Sequence, residues 1–436
     1  MLNITEACRI LQNMEKMNNK YDIIVAGGGF AGVCAAISAS RMGKRVCLVE
    51  KHNCLGGAAS MSLVLPFMYY WTHNDKGERI NLSQGVFEEI VNELRALGGT
   101  LPNWQECFNE EILKVVLNRM VIESGATLLF QCHITEVFCQ EGKIEKIKIN
   151  HVGGSDFLYA DYFIDATGDG NLCALGGFEF MLGRESDGLC QPMTLSFRLA
   201  NVDTKLFNRE HNRINEIYRK YKQEGKITNP RENILSFNTT HDGIVHFNTT
   251  RVVKLNPCDI EDLTKAEIIA REQAYEIFCF LKENAQGCKN ATLLSTGMQI
   301  GVRESRRILG EHILTGEEIV SCTKFYDSIA TCNYDIDIHN PSGEGTSHHY
   351  FKDGEYYTVP YRCIVPKGSK NVLVAGRCIS ATHEAQASFR IMPACAAIGQ
   401  GAGVAAAILH ENFLTPMEID IQQLKNAMKE QNAKIE

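Results

Sequence analysis

The sequence predicts an α/β protein: a nucleotide-binding domain on a parallel sheet with a small antiparallel meander, interrupted by an inserted α+β domain. Three observations predict it. Apolar strands at Ile23–Ala26, Tyr162–Asp165 and Asn371–Ala375 each run straight into glycine, as strands ending at a ligand crevice do. The first belongs to a strand–helix–strand unit from Tyr21 to Glu50. Between Leu189 and Pro360 the texture changes to short strand-like pieces alternating with long polar helices.

The opening unit carries the most chemistry. After strand Ile23–Ala26 come Gly27, Gly29 and Gly32, then an alanine-rich helix over Ala31–Met42 and a second strand, Arg45–Val49, ending on Glu50. Gly27 permits a tight turn, Gly29 lets backbone approach a pyrophosphate, and Gly32 lets helix pack on sheet. Bare N–H groups at the helix start, at Phe30 and Ala31, face that phosphate with the positive dipole end. Glu50 stands 18 residues beyond Gly32, near the spacing for a carboxylate that accepts from ribose hydroxyls. The unit is Rossmann-like and points to a dinucleotide. A structural glycine turn is the competing reading, and the strand–turn–helix–strand–acid context disfavours it.

Composition bounds the rest. A chain of 436 residues, 44% hydrophobic and 22% charged, has the make-up of a globular protein with room for two connected domains. Net charge −8, with no dense Lys/Arg run, argues against a nucleic-acid partner. The first twenty residues are polar and read as a short arm without a secretory signal, so a cytoplasmic location is expected. The seventeen cysteines contain no Cys-x-x-Cys pair, which favours buried thiols over an iron–sulfur cluster or dithiol relay, and no metal is expected. Ile391–Leu409 is long enough to span a membrane. Its Pro393, Gln400 and glycines 399, 401 and 403 fit a buried helix better.

Further along, Ala58–Trp71 ends in Phe67, Tyr69, Tyr70 and Trp71, which either pass near a cofactor ring or simply pack. Helical spacing marks Ser83–Leu97 and Asn109–Ser124, the latter with an Asn-type cap. Short strands follow at Thr127–Gln131, Glu136–Gln140, Lys143–Asn150 and Phe157–Tyr159. Helices are expected at Lys205–Gln223 and Asp262–Glu283, and a basic run holds Arg303, Arg306 and Arg307. The last helix begins near Pro393, with Ala397, Gly401 and Ala405 as a stripe for close packing. A polar tail follows.

The Leu55-Gly56-Gly57 segment after the acid resembles the start of FAD-dependent oxidoreductases of the glutathione-reductase structural type. With Asp165–Gly170, Gln191–Thr194, Asn248–Arg251, Gly301–Gly310 and Gly376–Pro393, the chain resembles a bacterial and archaeal FAD-dependent oxidoreductase family related to the fumarate-reductase and heterodisulfide-reductase flavin folds. The resemblance implies FAD as cofactor and an unassigned small-molecule substrate. It implies that Gly27, Gly29 and Gly32 hold the pyrophosphate and Glu50 the adenosine ribose. Lys51, Gly56 and Gly57 would lie along the ribose–phosphate stretch, and His133 and Ile134 at the adenine. Ala166, Thr167, Gly168 and Asp169 would sit beside the nucleotide. Gly376 is followed by Arg377 where many flavoproteins have aspartate, leaving Arg377 to pair with the pyrophosphate or to face substrate. The domains implied are an arm at 1–20, an FAD-binding domain at 21–188 and 361–412, a substrate domain at 189–360, and a terminal helix or tail at 413–436.

The activity expected is hydride transfer between FAD and a small organic molecule, which needs one proton-transfer group. Candidates are His383, Glu384, Tyr361, His348 and His349. His383 is preferred for its place after the third strand, with Arg390 as an anion anchor and the Arg303–Arg307 run as rival clamp or surface ion pairs. The N-terminus of the Pro393 helix is expected to face the flavin's pyrimidine end. A flavin-dependent RNA-modifying enzyme and a non-catalytic FAD-binding protein are the alternatives. The electron partner is left open, and a homo-oligomer is compatible with everything above.

Overall fold

The computed structural model describes residues 19–436, so nearly all of the arm expected at 1–20 lies outside the described residues. The principal elements begin with β1 (Lys20–Ala26), α1 (Phe30–Arg41), β2 (Val46–Val49), α2 (Val86–Ala96), α3 (Glu110–Glu123), β3 (Thr127–Leu129), β4 (His133–Gln140), β5 (Lys143–His151) and β6 (Gly154–Asp165). Next come β7 (Phe197–Ala200), α4 (Thr204–Gln223), β8 (Ser236–Asn238), β9 (Val245–Phe247), α5 (Ile260–Asn284), β10 (Thr292–Thr296), β11 (Ile336–His339) and β12 (Thr346–His349). The chain closes with β13 (Val372–Val374), α6 (His383–Phe389), α7 (Met392–Asn412) and α8 (Ile421–Glu430).

Seven strands form the main sheet, in the order β3-β2-β1-β6-β5-β4, with β13 also paired to β6. Strand β6 joins its two halves. Its end, through Asp165, runs parallel between β1 and β13, while its beginning pairs antiparallel with β5. The sequence divides this stretch into two strands, at Phe157–Tyr159 and Tyr162–Asp165. Ala160 and Asp161 supply no turn chemistry, and the strand runs through them. β3 is likewise parallel to β2 and extends the parallel region rather than the meander. Three strand ends, at Ala26, Asp165 and Val374, therefore open on the same edge.

Helix α1 is nearly all small residues and packs directly against α7. A Cβ on Gly399 or Gly403 would overlap the carbonyl of Ala31 or Ala35. The close-packing pair is thus Gly399 and Gly403, not the stripe through Ala397 and Gly401; Gly401 faces Ile329 and Met428. Among the described residues α7 is the one helix long and apolar enough to cross a membrane, and nearly all of it is buried inside the protein. Helix α3 starts at Asn109, whose side chain accepts from Glu111 and Ile112 N–H at 2.9 and 3.2 Å. Helix α8 buries Leu424 and Met428, docking the tail.

A second sheet, β8-β9-β7-β10, packs with α4 and α5 around a separate core that includes Phe197, Tyr218, Phe247 and Phe280. That core ends at Ala291. Residues such as Ile308, Ile329, Tyr357 and Val359, expected in the same inserted domain, belong to the main core instead. Their apolar side chains have the underside of the nucleotide domain to pack on. Every cysteine among the described residues is a free thiol, and most are buried.

Candidate active site

The three strand ends enclose a cavity of about 180 Å³. Its lining includes Gly27, Gly29, Phe30 and Ala31, then Glu50–His52, Gly56–Ala58, Ala166–Asp169 and Ala375–Arg377. The glycines divide into two kinds. Gly27 has φ +98°, and a Cβ there would meet the Ala166 and Thr167 backbone, so the fold itself requires glycine. Gly29 has φ −69° and ψ −179°, a conformation any residue adopts. A Cβ on it would stand in the cavity, touching nothing nearer than the Gly57 Cα at 4.0 Å. Only an occupant of the cavity gives a reason for glycine at position 29.

Two helices begin here, and neither has a side-chain cap. Gly29 and Ile391 cap α1 and α7 without a side-chain hydrogen bond, and Phe30, Ala31, Met392 and Cys395 from their first turns line the cavity. Their free N–H groups and positive dipole ends converge on one space, which suits an anionic, phosphate-bearing occupant. Buried Glu50 holds the turn: its Oε2 accepts from Gly28 N–H at 2.5 Å and its Oε1 from His52 N–H at 2.7 Å. Each oxygen keeps a further lone pair.

Arg377 has a carboxylate partner. It donates to Asp169 Oδ1 at 2.6 Å and to Ser305 Oγ at 2.7 Å. Burial opposes the charge on Asp169, but the Arg377 guanidinium outweighs it and holds the carboxyl below its usual value.

A second cavity, about 330 Å³, adjoins the first and shares Ala58, Val302, Arg377, Arg390 and Met392 with it. Its floor is a polar cluster on β11 and β12. Asp337 Oδ2 accepts from Tyr334 OH at 3.3 Å and Arg390 Nη2 at 3.2 Å, with His339 Nε2 also 3.2 Å away. His339 Nδ1 accepts from Arg251 at 3.1 Å; arginine can only donate, so the His339 proton sits on Nε2, facing Asp337. Burial, then Arg303, keeps His339 far below its ordinary range and therefore neutral. Asp337 is ionised despite burial, held so by His339, Arg390 and Arg303. His348 lies opposite Asp337 in the hairpin register, with Nδ1 2.6 Å from Asp335 Oδ2 and its ring stacked on Tyr350.

The residues expected from sequence divide clearly. Gly27, Gly29, Phe30, Ala31, Glu50, Lys51, Gly56, Gly57, Ala166–Asp169, Gly376 and Arg377 all line the first cavity. Gly32 does not; it packs α1 onto the Gly27 turn, where a Cβ would overlap the Gly27 carbonyl. His133 and Ile134 do not line it either, although Gln131 and Cys132 just before them bond to the His52 and Glu50 carbonyls. Arg390 lines both cavities. His383 lines neither, and this corrects its preferred place. Its ring is buried with Nδ1 2.8 Å from Glu304 Oε2, misaligned for a hydrogen bond, beside the buried Glu304–Arg307 pair. His383 opens α6 and Arg390 caps its far end; seven residues along a helix is roughly 10 Å.

Tyr361 is buried and donates to the Pro416 carbonyl, and Glu384 and His349 are exposed. Phe67 and Tyr70 pack on Phe87 in the core, while their neighbours Val64–Pro66 and Met68 line the second cavity. Arg307 is an internal ion pair, and Arg306 bonds Asn171 and the Asp169 carbonyl. Sequence reasoning missed Arg231, Asp335, Asp337 and His339. A signal existed: polar Asp335, Asp337 and His339 alternate with Ile336 and Ile338, the period of a half-buried strand.

A sheet whose three strand ends and two bare helix starts enclose a phosphate-sized cavity, next to a polar second cavity, defines a dinucleotide-dependent enzyme class. The chain belongs to the FAD-dependent oxidoreductase family: the family model described as "FAD dependent oxidoreductase" matches residues 22–428. FAD is its cofactor. No curated protein sequence matches significantly. Among solved structures it is similar to a geranylgeranyl bacteriochlorophyll reductase-like protein from Thermoplasma acidophilum, with 13% identity and TM-score 0.48, covering 96% of this chain and 84% of that one. It is also similar to a flavoprotein/dehydrogenase from Cytophaga hutchinsonii, with 14% identity, TM-score 0.45 and coverages of 94% and 83%. The p-nitrophenol 4-monooxygenase PnpA from Pseudomonas putida is a further neighbour, with 9% identity, TM-score 0.43 and coverages of 94% and 84%.

Proposed function

We propose that the chain transfers a hydride between FAD and a small organic substrate held in the second cavity, with His348 moving the accompanying proton. The observation that carries this reading is the shared wall: five residues line both the cofactor cavity and the polar cavity beyond it. In this reading Gly27, Gly29, Gly57 and the start of α1 hold the pyrophosphate. Glu50 accepts from the ribose, Lys51 and Gly56 follow the ribose–phosphate stretch, and the chain at His133-Ile134 meets the adenine. Asp169, Arg377 and the start of α7 serve the flavin half. FAD, when bound, supplies the two-electron acceptor or donor.

His348 replaces His383 as the proton group. Burial raises the Asp335 carboxyl above its usual value and the His348 contact works against that; as a carboxylate Asp335 accepts the Nδ1 proton of His348, which leaves the Nε2 lone pair for substrate. The other titratable groups of the cavity are committed. Tyr334 is held far above its usual value by burial and Asp337, and His339 uses both nitrogens.

Anaerobic titration of the holoenzyme with a panel of sugars, hydroxy acids and enoates tests the reading, with bleaching or return of the flavin band as readout. A panel that leaves both oxidised and reduced flavin unchanged refutes it. The cofactor side has its own test. Glu50→Ala is expected to weaken FAD by about 1.5–3 kcal/mol, the range for a charged hydrogen-bond partner. Fluorescence titration of apoprotein measures this, and an unchanged dissociation constant removes Glu50 from the site.

A further inference from the structure

Five guanidiniums surround or back the second cavity, and they are not equivalent. Arg377 is paired with Asp169, Arg390 with Asp337, and Arg251 behind the wall with Glu232. Arg231 and Arg303, which both line the cavity, make no ion pair among the described residues. Arg231 spends only its Nε, on Asn233 Oδ1 at 3.2 Å. Arg303 spends only Nη1, on the Pro192 carbonyl at 2.7 Å and Thr194 Oγ1 at 2.6 Å. Their remaining N–H groups have no protein partner and are not sealed from solvent.

We propose that Arg231 and Arg303 form the recognition site for an anionic group of the substrate, a carboxylate or a phosphate. Two fixed positive charges in the largely buried lining of one cavity, close enough that Arg231 acts on the charge of Arg303, are costly unless an anion joins them. Burial and the neighbouring guanidiniums of Arg390 and Arg231 press on the charge of Arg303, and burial and Arg251 press on that of Arg231. An arginine does not relieve such pressure by losing its proton. The free edges present planar donor forks, the geometry that grips carboxylate or phosphate oxygens in pairs. Arg390, already held by Asp337, is a secondary contact in this assignment. This assignment rests on the second cavity being the substrate cavity, but not on the direction or kind of chemistry done there.

The test is calorimetry on the holoenzyme with malonate and with inorganic phosphate, at constant ionic strength set with potassium chloride. Saturable binding of at least one probe is expected, together with a rise in melting temperature on its addition. Arg231→Met and Arg303→Met should each weaken that binding about 10–100-fold, the loss of a charged hydrogen-bond partner. Arg231→Lys and Arg303→Lys should keep the unliganded melting temperature yet still bind more weakly, because the fork is gone. Malonate binding alone assigns a carboxylate, and phosphate binding alone a phosphoryl group. No saturable binding of either probe, or equal binding in wild type and all four variants, overturns the proposal. Binding through these two arginines with no compound able to change the flavin redox state leaves the anion site standing and removes the hydride-transfer reading.

Discussion

Gly29→Val should yield folded protein with no bound flavin. The backbone at Gly29 is already extended, and a Cβ there meets no protein atom closer than 4.0 Å. The protein alone therefore tolerates valine, whereas the phosphates of FAD need that space and the N–H groups behind it. Gly32→Val is the contrasting case. Its Cβ would overlap the Gly27 carbonyl, so it should damage folding itself by overpacking α1 against the turn. Melting temperature of the apoproteins and flavin content after reconstitution separate the two variants. Wild-type flavin content in Gly29→Val would mean that the first cavity is not the pyrophosphate site.

His348→Gln should slow flavin reduction by about 10²–10⁴-fold while leaving FAD content unchanged, the usual range for loss of a general acid or base. Glutamine keeps a polar group of similar reach but cannot take up a proton. Asp335→Asn should lower the rate without changing anion binding, because in this reading Asp335 fixes the tautomer of His348. Stopped-flow reduction, using a compound that bleaches the wild type, measures both. A wild-type rate in His348→Gln would return the proton step to another group.

The cofactor half of this enzyme is local chemistry, which is why it is legible in one dimension. Gly27, Gly29, Gly32 and Glu50 lie in a single strand–helix–strand unit, and their roles follow from backbone freedom and helix ends over a few turns. The motif assigns Gly27 and Gly32 to the fold and Gly29 to an occupant, and the positions of Ala166, Gly57 and the Gly27 carbonyl around them give that division its physical ground.

The second cavity is the opposite case. Arg231, Arg303, Asp337, His348 and Arg390 come from segments that no local spacing relates, and their meeting depends on how the second sheet and the β11–β12 hairpin close over the nucleotide domain. Alternation at Asp335, Asp337 and His339 shows one polar strand face, but not that the face looks into a cavity. His383 is close to Arg390 in the chain, and the helix between them carries it roughly 10 Å away, to Glu304. Which arginines already hold a carboxylate is likewise a three-dimensional fact: Arg390 finds Asp337 across the fold, and Arg231 and Arg303 find none among the described residues. Sequence determined the family and the cofactor because those rest on short-range backbone geometry. The tertiary structure decided which side chains share the second cavity and which of its arginines already hold a carboxylate, because those rest on long-range pairing of side chains.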